Sequence, residues 1–186
     1  TFTFNALWAQ ALNNRDSGIT HFLMVHADVR PLDAKWFRIL HQEMKEHEAD
    51  IISVVSPLKS HRGLTSTGLD TDFWRPRRFT LQEIAARPIT FREPGLLINT
   101  GLMLVDLRKP WVDRIAFDIN NRLHRGPQGL LQAQFEPEDW HFSRQLMDLS
   151  VKYYATRAVR LAHRGVEDFY NFGEGGMATD TENVQE

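Results

Sequence analysis

The sequence predicts an α/β fold, a mainly parallel open sheet flanked by helices, and three observations carry that expectation. Two short apolar runs, Phe22-Leu23-Met24-Val25 and Ile51-Ile52-Ser53-Val54-Val55, have the composition of strands buried on both faces. Segments with helical spacing stand before each run. Helix, strand, helix, strand in that order is the pattern of parallel strands joined by crossover helices.

The elements follow in turn. A helix from about Asn5 places Leu7, Trp8, Ala11 and Leu12 on one face and stops at Gly18. The first strand, Phe22 to Val25, ends abruptly in His26-Ala27-Asp28. A second helix starts at Pro31, a residue suited to a helix N-terminus, and aligns Trp36, Phe37, Leu40 and Met44. The β-branched run from Asp50 closes at Pro57 as a second strand. Residues 58–94 lose periodicity, with only "FTLQEIAAR" briefly helical, and are expected to form a long irregular binding loop or lid. Two apolar runs return in "GLLINTGLMLVDLR", with Asn99, Thr100 and Gly101 set between them. "PWVDRIAFDINNRL" and "PEDWHFSRQLMDL" both read as helices, the second with Glu138 and Asp139 in its first turn. "KYYATRAVRLAHRG" alternates as a strand ending at His163 and Gly165. The predicted organisation is one domain over residues 1–165 and a flexible polar, Gly-rich tail over 166–186.

Composition narrows the function. At 186 residues, 42% hydrophobic and 11% aromatic, the chain has enough material for one folded core. A formal charge of −2 argues against broad electrostatic binding to nucleic acid or an anionic membrane. Arg75, Arg77 and Arg78 could make a local anion site. The absence of cysteine excludes disulfides, thiolate zinc sites and a Cys nucleophile, and fits a reducing, cytoplasmic setting. No apolar run approaches the ~20 residues of a membrane span, and no signal peptide is visible.

Three pieces at element ends could carry chemistry. In an extended chain His26 and Asp28, two apart, point the same way at the mouth of the sheet. A carboxylate with one or two imidazoles suits Mn²⁺, with phosphate oxygens and water completing the shell. Alternatively, His26 only caps the strand, Asp28 starts a turn, and His163 is an ordinary packed residue. Glu138 and Asp139 either favour the helix dipole or supply a general base. Asn99-Thr100-Gly101 is either a kink between strand segments or a polar patch able to hold sugar hydroxyls. Trp74 could stack on a sugar ring or anchor its loop, with Arg77 nearby.

In order along the chain, "FLMVHADV", "INTGLMLVDLR" and "EDWHFSR" followed by "VRLAHRG" resemble motifs of the nucleotide-sugar glycosyltransferases of the GT-A (Rossmann-like) fold, nearest the family-2-like enzymes. The resemblance spans about Asn5 to Gly165. His26 stands at the first acidic position of a DxD-like metal motif and Asp28 at the second. The resemblance implies Mn²⁺ or Mg²⁺ on Asp28 and His163, with His26 nearby. It implies Asp139 as the base of an inverting transfer, with Glu138 second, and Asn99, Thr100 and Gly101 on the donor sugar. Trp74 and Arg77 would contact the acceptor or the loop. The implied partners are a nucleotide-sugar donor and a carbohydrate or other hydroxyl acceptor. The family's first strand, which holds the nucleobase, should precede the first helix and is expected to be missing before Thr1. Two other classes stay open: a metal-dependent hydrolase using His26, Asp28 and His163, and a non-catalytic sugar- or nucleotide-binding module.

Overall fold

The structure is a computed structural model and describes residues 1–72 and 76–172. The first helix, α1 (Phe2–Asn13), is followed by a short 3-10 turn and by β1 (His21–Val25) and β2 (Val29–Pro31). Then come α2 (Trp36–Glu46), β3 (Ile51–Val54), β4 (Leu64–Leu69), β5 (Arg77–Thr80) and α3 (Leu81–Ala85). The second half holds β6 (Thr90–Phe91), β7 (Leu96–Leu97), β8 (Leu102–Asp106), β9 (Asn120–Arg125), β10 (Leu131–Glu136) and α4 (Glu138–Asp148). It closes with β11 (Tyr153–Thr156), β12 (Leu161–Arg164) and β13 (Asp168–Tyr170).

The core is a five-stranded sheet in the order β1-β8-β3-β11-β6. Only β3 and β11 pair in parallel; β1 with β8, β8 with β3, and β11 with β6 are antiparallel. The smaller sheets, β13-β12-β2, β5-β4-β7 and β10-β9, are antiparallel throughout. This overturns the expected mainly parallel sheet flanked by helices. The physical reason lies in β8. β1 and β3 do run the same way, as the intervening helix suggested, but β8 enters between them in the opposite direction. A strand buried on both faces is an apolar run whichever way it points, so its direction is not written in its composition.

Burial on both faces is what the apolar runs need. One face carries Phe22, Met24, Ile51, Met103 and Val105 against Trp8 of α1 and Phe142 and Leu146 of α4. The other carries Ile52, Val54, Leu102 and Leu104 against Leu40 and Met44 of α2 and Leu161. No helix among the described residues is long and apolar enough to cross a membrane.

Several local expectations are corrected. The irregular segment at 58–94 contains β4, β5, α3 and β6; α3 opens with a capping box, in which the Thr80 side chain and Glu83 satisfy each other's backbone N–H groups. Pro31 ends β2 rather than starting a helix. The helix expected in "PWVDRIAFDINNRL" is a 3-10 turn at Val112–Arg114 followed by extended chain and β9. Ile115 and Phe117 are buried in alternation there, and Phe117 lies stacked on Phe142 with ring centroids 4.8 Å apart. Asn5 holds that extended backbone in place, accepting from the Phe117 N–H at 2.8 Å and donating to its carbonyl at 2.7 Å. Part of the expected tail is strand β13, paired with β12; residues 173–186 lie outside the described residues.

Candidate functional site

The polar residues gather where β1 ends. The His26 N–H donates to Gly101 at 2.8 Å, prolonging the β1–β8 ladder by one step, and the chain then turns, with Val29 N–H bonded to the His26 carbonyl at 3.0 Å. β2 pairs with β12 in a register that sets Val29 opposite His163. Beyond it the Arg164 N–H donates to the Asp28 carbonyl at 2.7 Å. The ladder therefore brings Asp28 and His163 together from distant parts of the sequence.

Their side chains are arranged with chemical direction. His163 Nδ1 lies 2.7 Å from the Pro57 carbonyl, which only accepts, so Nδ1 carries a hydrogen and the ring is oriented with Nε2 toward the site. The Ser56 hydroxyl is 3.3 Å from the same Nδ1. Nε2 faces Asp28 Oδ2 at 3.5 Å, and Lys59 Nζ donates to that same oxygen at 2.5 Å. Burial pushes the Asp28 carboxyl up, but the Lys59 hydrogen bond and the charges of His163 and Lys59 outweigh it and hold the group below the ordinary carboxylate range.

His26 is the centre of the cluster. Its ring stacks on Phe4 of α1, centroids 5.0 Å apart. Its Nε2 is buried and has no hydrogen-bond partner among the described residues. Burial lowers its pKa; Glu138 and Asp28 oppose that, and His163 and Lys59 reinforce it. An open, largely apolar groove of about 1170 Å³ runs from α1 along the free edge of β1 to His26 and Asp28.

The acidic pair at the start of α4 faces two ways, as successive helical positions must. Glu138 accepts from the Thr100 hydroxyl at 3.1 Å. Asp139 is pushed up to about 7, by burial first and by the neighbouring Glu138 second, against the opposing pull of Arg78 and the Trp140 N–H. Ser143, in the next turn, accepts from Ile98 N–H at 3.0 Å and donates to the Asp139 carbonyl at 2.8 Å, tying this helix end to the 98–101 segment.

Asn99 is buried and spends its amide on the backbone: Nδ2 donates to Val54 O at 2.7 Å, while Oδ1 accepts from Gly101 N–H at 3.0 Å. Gly101 packs closely beside it: a Cβ there would lie 3.2 Å from that Oδ1, so the Asn99 side chain would have to yield by a few tenths of an ångström. The polar break between the two apolar runs thus clasps β3 to β8, with Thr100 reaching α4.

The structure brings together His26, Asp28, His163, Thr100, Gly101 and Glu138, with Asp139 beside them. Arg77 points elsewhere: it pairs with Glu83 and lies over Phe79. Trp74 lies outside the described residues. Two members went unnoticed in the sequence. Lys59 sits in the stretch expected to be irregular, and Arg78 was one of three arginines of which only Arg77 was singled out. Strand alternation separates them, and Arg78 is the one that packs over Trp140, 4.3 Å from its ring, within reach of Asp139. Among the described residues, no three His, Asp or Glu side chains form a ready-made metal site.

No family model matches the chain, and no curated relative does. A solved structure, that of A197 from STIV, is similar in fold, with a TM-score of 0.53 over 90% of this chain and 69% of that one, at 14% identity. A likeness at that identity speaks for the fold alone. The resemblance to family-2-like GT-A glycosyltransferases is therefore corrected: its parallel sheet is absent, and no family match supports it.

Proposed function

We propose that this cluster performs glycosyl transfer from a nucleoside-diphosphate sugar to a hydroxyl acceptor, assisted by a divalent cation. The observation that carries the reading is the pair Asp28 and His163 at the sheet mouth, with Glu138, at the start of α4, acting on the same His26 as they do, and Asp139, pushed up to about 7, next to it on that helix. Three features support a cation. The imidazole is fixed through Nδ1 with Nε2 turned toward Asp28, the orientation of metal-binding histidines. The 3.5 Å between Nε2 and the carboxylate is the spacing of two ligands around one ion. The orphaned His26 Nε2 adds a third polar atom nearby. Mn²⁺ or Mg²⁺ on Asp28 and His163 would neutralise charge building on a diphosphate leaving group. With only two such ligands close together, substrate oxygens and water complete the shell, which favours a transferase over a hydrolase holding its own metal.

The chain's own residues do the rest. Ionised Asp139 takes the acceptor hydroxyl's proton, and a pKa near 7 suits that task at neutral pH. Thr100, held by Glu138, and Gly101 line the donor's position. The groove beside β1 accommodates an apolar portion of donor or acceptor. The absence of cysteine supports a cytoplasmic setting.

Lys59 favours a second reading. Its ammonium already neutralises Asp28, as in a non-catalytic module that holds phosphates without a metal. Calorimetric titration of Mn²⁺ with and without a panel of nucleoside diphosphates, on wild type and Asp28→Ala, separates the two. Transfer chemistry requires diphosphate-dependent Mn²⁺ binding that Asp28→Ala abolishes. Diphosphate binding that ignores Mn²⁺ and survives Asp28→Ala establishes the module. Mn²⁺ binding indifferent to nucleotide overturns both.

A further inference from the structure

Asp28 Oδ2 already holds a cation, the ammonium of Lys59 at 2.5 Å, and His163 Nε2 faces the same oxygen at 3.5 Å. One loop supplies both arrangements. Its Pro57 carbonyl fixes His163 through Nδ1 at 2.7 Å, and its Lys59 reaches Asp28. The backbone up to Leu58 is pinned to the start of β4: the Leu58 N–H donates to Leu64 at 2.8 Å, and the Ser66 N–H to Ser56 at 2.9 Å. Lys59 is the first residue past those bonds. Its stem lies across Gly165, where a Cβ would come within 3.3 Å of the Lys59 Cδ. The pair stays at the rim, with the Lys59 side chain 37% and that of Asp28 41% exposed, so water and ions reach it.

One carboxylate oxygen does not hold two cations. A divalent ion arriving on Oδ2 meets the ammonium at close range, and like charges that near repel strongly even at the edge of a protein. Lys59 therefore leaves when an ion arrives, and the ammonium then seeks another anion. Arg164 marks where such an anion is welcome. It lines the groove beside Asp28, and its guanidinium has no carboxylate partner among the described residues. Asp168, opposite it in the β12–β13 ladder, is taken by Arg30 at 2.6 Å. A diphosphate at this mouth meets Arg164 and a released Lys59 together.

Resting on the reading of the site given above, we propose that Lys59 is a displaceable stand-in for the divalent cation and couples its binding to that of the diphosphate. Without ligands the ammonium holds Asp28. When cation and diphosphate arrive together, the ion takes Asp28 and His163, and Lys59 swings onto the phosphate oxygens beside Arg164. A point charge on a flexible stem suits such an exchange, because it gives up no bidentate geometry. Each ligand removes an obstacle to the other, and by linkage the effect is reciprocal.

Mn²⁺ binding, followed by electron paramagnetic resonance of the free ion, tests this on the full chain. Inorganic pyrophosphate serves as a base-free diphosphate, with its own solution complex with Mn²⁺ subtracted. Wild type is expected to bind Mn²⁺ weakly alone and tightly with pyrophosphate. Lys59→Met is expected to bind Mn²⁺ alone roughly tenfold more tightly or better. It should also hold pyrophosphate roughly tenfold less tightly once Mn²⁺ saturates. Lys59→Arg, which keeps the charge, should not show the gain, and adding Asp28→Asn to Lys59→Met should abolish it. Unchanged or weaker Mn²⁺ binding by Lys59→Met overturns the exchange. So does a gain that survives Asp28→Asn, or a pyrophosphate affinity that ignores Lys59→Met. If wild type still couples Mn²⁺ to pyrophosphate through Asp28 in those cases, the transfer reading stands without the exchange. No Mn²⁺ binding by wild type or Lys59→Met, with or without pyrophosphate, overturns both together.

Discussion

The central sheet and the β9–β10 hairpin use strands in opposite ways. Every residue of β3 and β8 is buried, and the two core clusters lie on either side of their sheet. In the hairpin the apolar residues face out, and the contact with the body is a charge network around Arg144, which meets Asp70 at 2.6 and 2.9 Å as well as Glu136. The sheet is held by area removed from water, the hairpin by geometry between a few charges. Stability of the fold therefore resides in the first region, and the second is free to present a surface.

The largest expected effect tests the sheet. Leu104→Ala, at a position 1% exposed, should cost about 3 kcal/mol in denaturant unfolding, from lost transfer energy and the cavity left behind. A cost below about 1 kcal/mol would mean that the sheet is not the stabilising core. Arg144→Met should cost nearly as much, about 3 kcal/mol, because it takes from Asp70 its bidentate partner and from buried Glu136 its nearest cation. Hydrogen exchange should locate the damage, with β9 and β10 amides losing protection while β3 and β8 keep theirs. Equal loss in both regions would erase the distinction.

Asp139 gives a smaller, pH-dependent effect. Its proton is held to about pH 7 in the folded chain but released near pH 4 when unfolded. The folded state binds more protons in between, so this group's contribution to stability falls as pH rises from about 4 to about 7. Asp139→Asn, which cannot ionise, should leave the melting temperature unchanged near pH 4 and raise it near pH 8, while abolishing turnover. Glu138→Gln removes a charge that raises Asp139 and should move the rising limb of a pH–rate profile to lower pH; a limb that stays in place would take Asp139 out of the proton transfer. The smallest effect belongs to the hairpin face: Leu131→Ala should change stability by less than about 0.5 kcal/mol, as expected of an exposed side chain.

Much of this was legible from residues alone, and the misses have causes. α2 and α4 have unambiguous 3.6-residue patterns, and the runs at β1, β3 and β8 are dense enough to be buried strands. Their order in the sheet was not legible, since nothing local in "LMLVD" says that it lies antiparallel between β1 and β3. The segment after Pro110 misled because Trp111, Val112, Ile115 and Ile119 fit a helical spacing while Ile115 and Phe117 fit a spacing of two. The clamp from Asn5, far away in sequence, accompanies the second. In the site, Asp28 and His163 were visible as polar residues at strand ends. Lys59 was not, because its partner is chosen by the β2–β12 pairing and not by its neighbours. Glu138 and Asp139 were seen as a pair, yet their different partners depend on which side of α4 packs against residues 98–101.

The insertion of β8 also bears on how the chain is made. β1 ends at Val25, yet its sheet partner among the described residues, β8, begins at Leu102. On the ribosome, the first strand emerges well before the segment that completes its ladder. β3 waits for the same strand and for β11 beyond it. Non-local pairing of this kind slows folding and leaves apolar strands uncovered in the interval. Nascent chains halted before residue 102 should remain protease-sensitive and bound by chaperones, and resistance should appear only after β11 has left the exit tunnel.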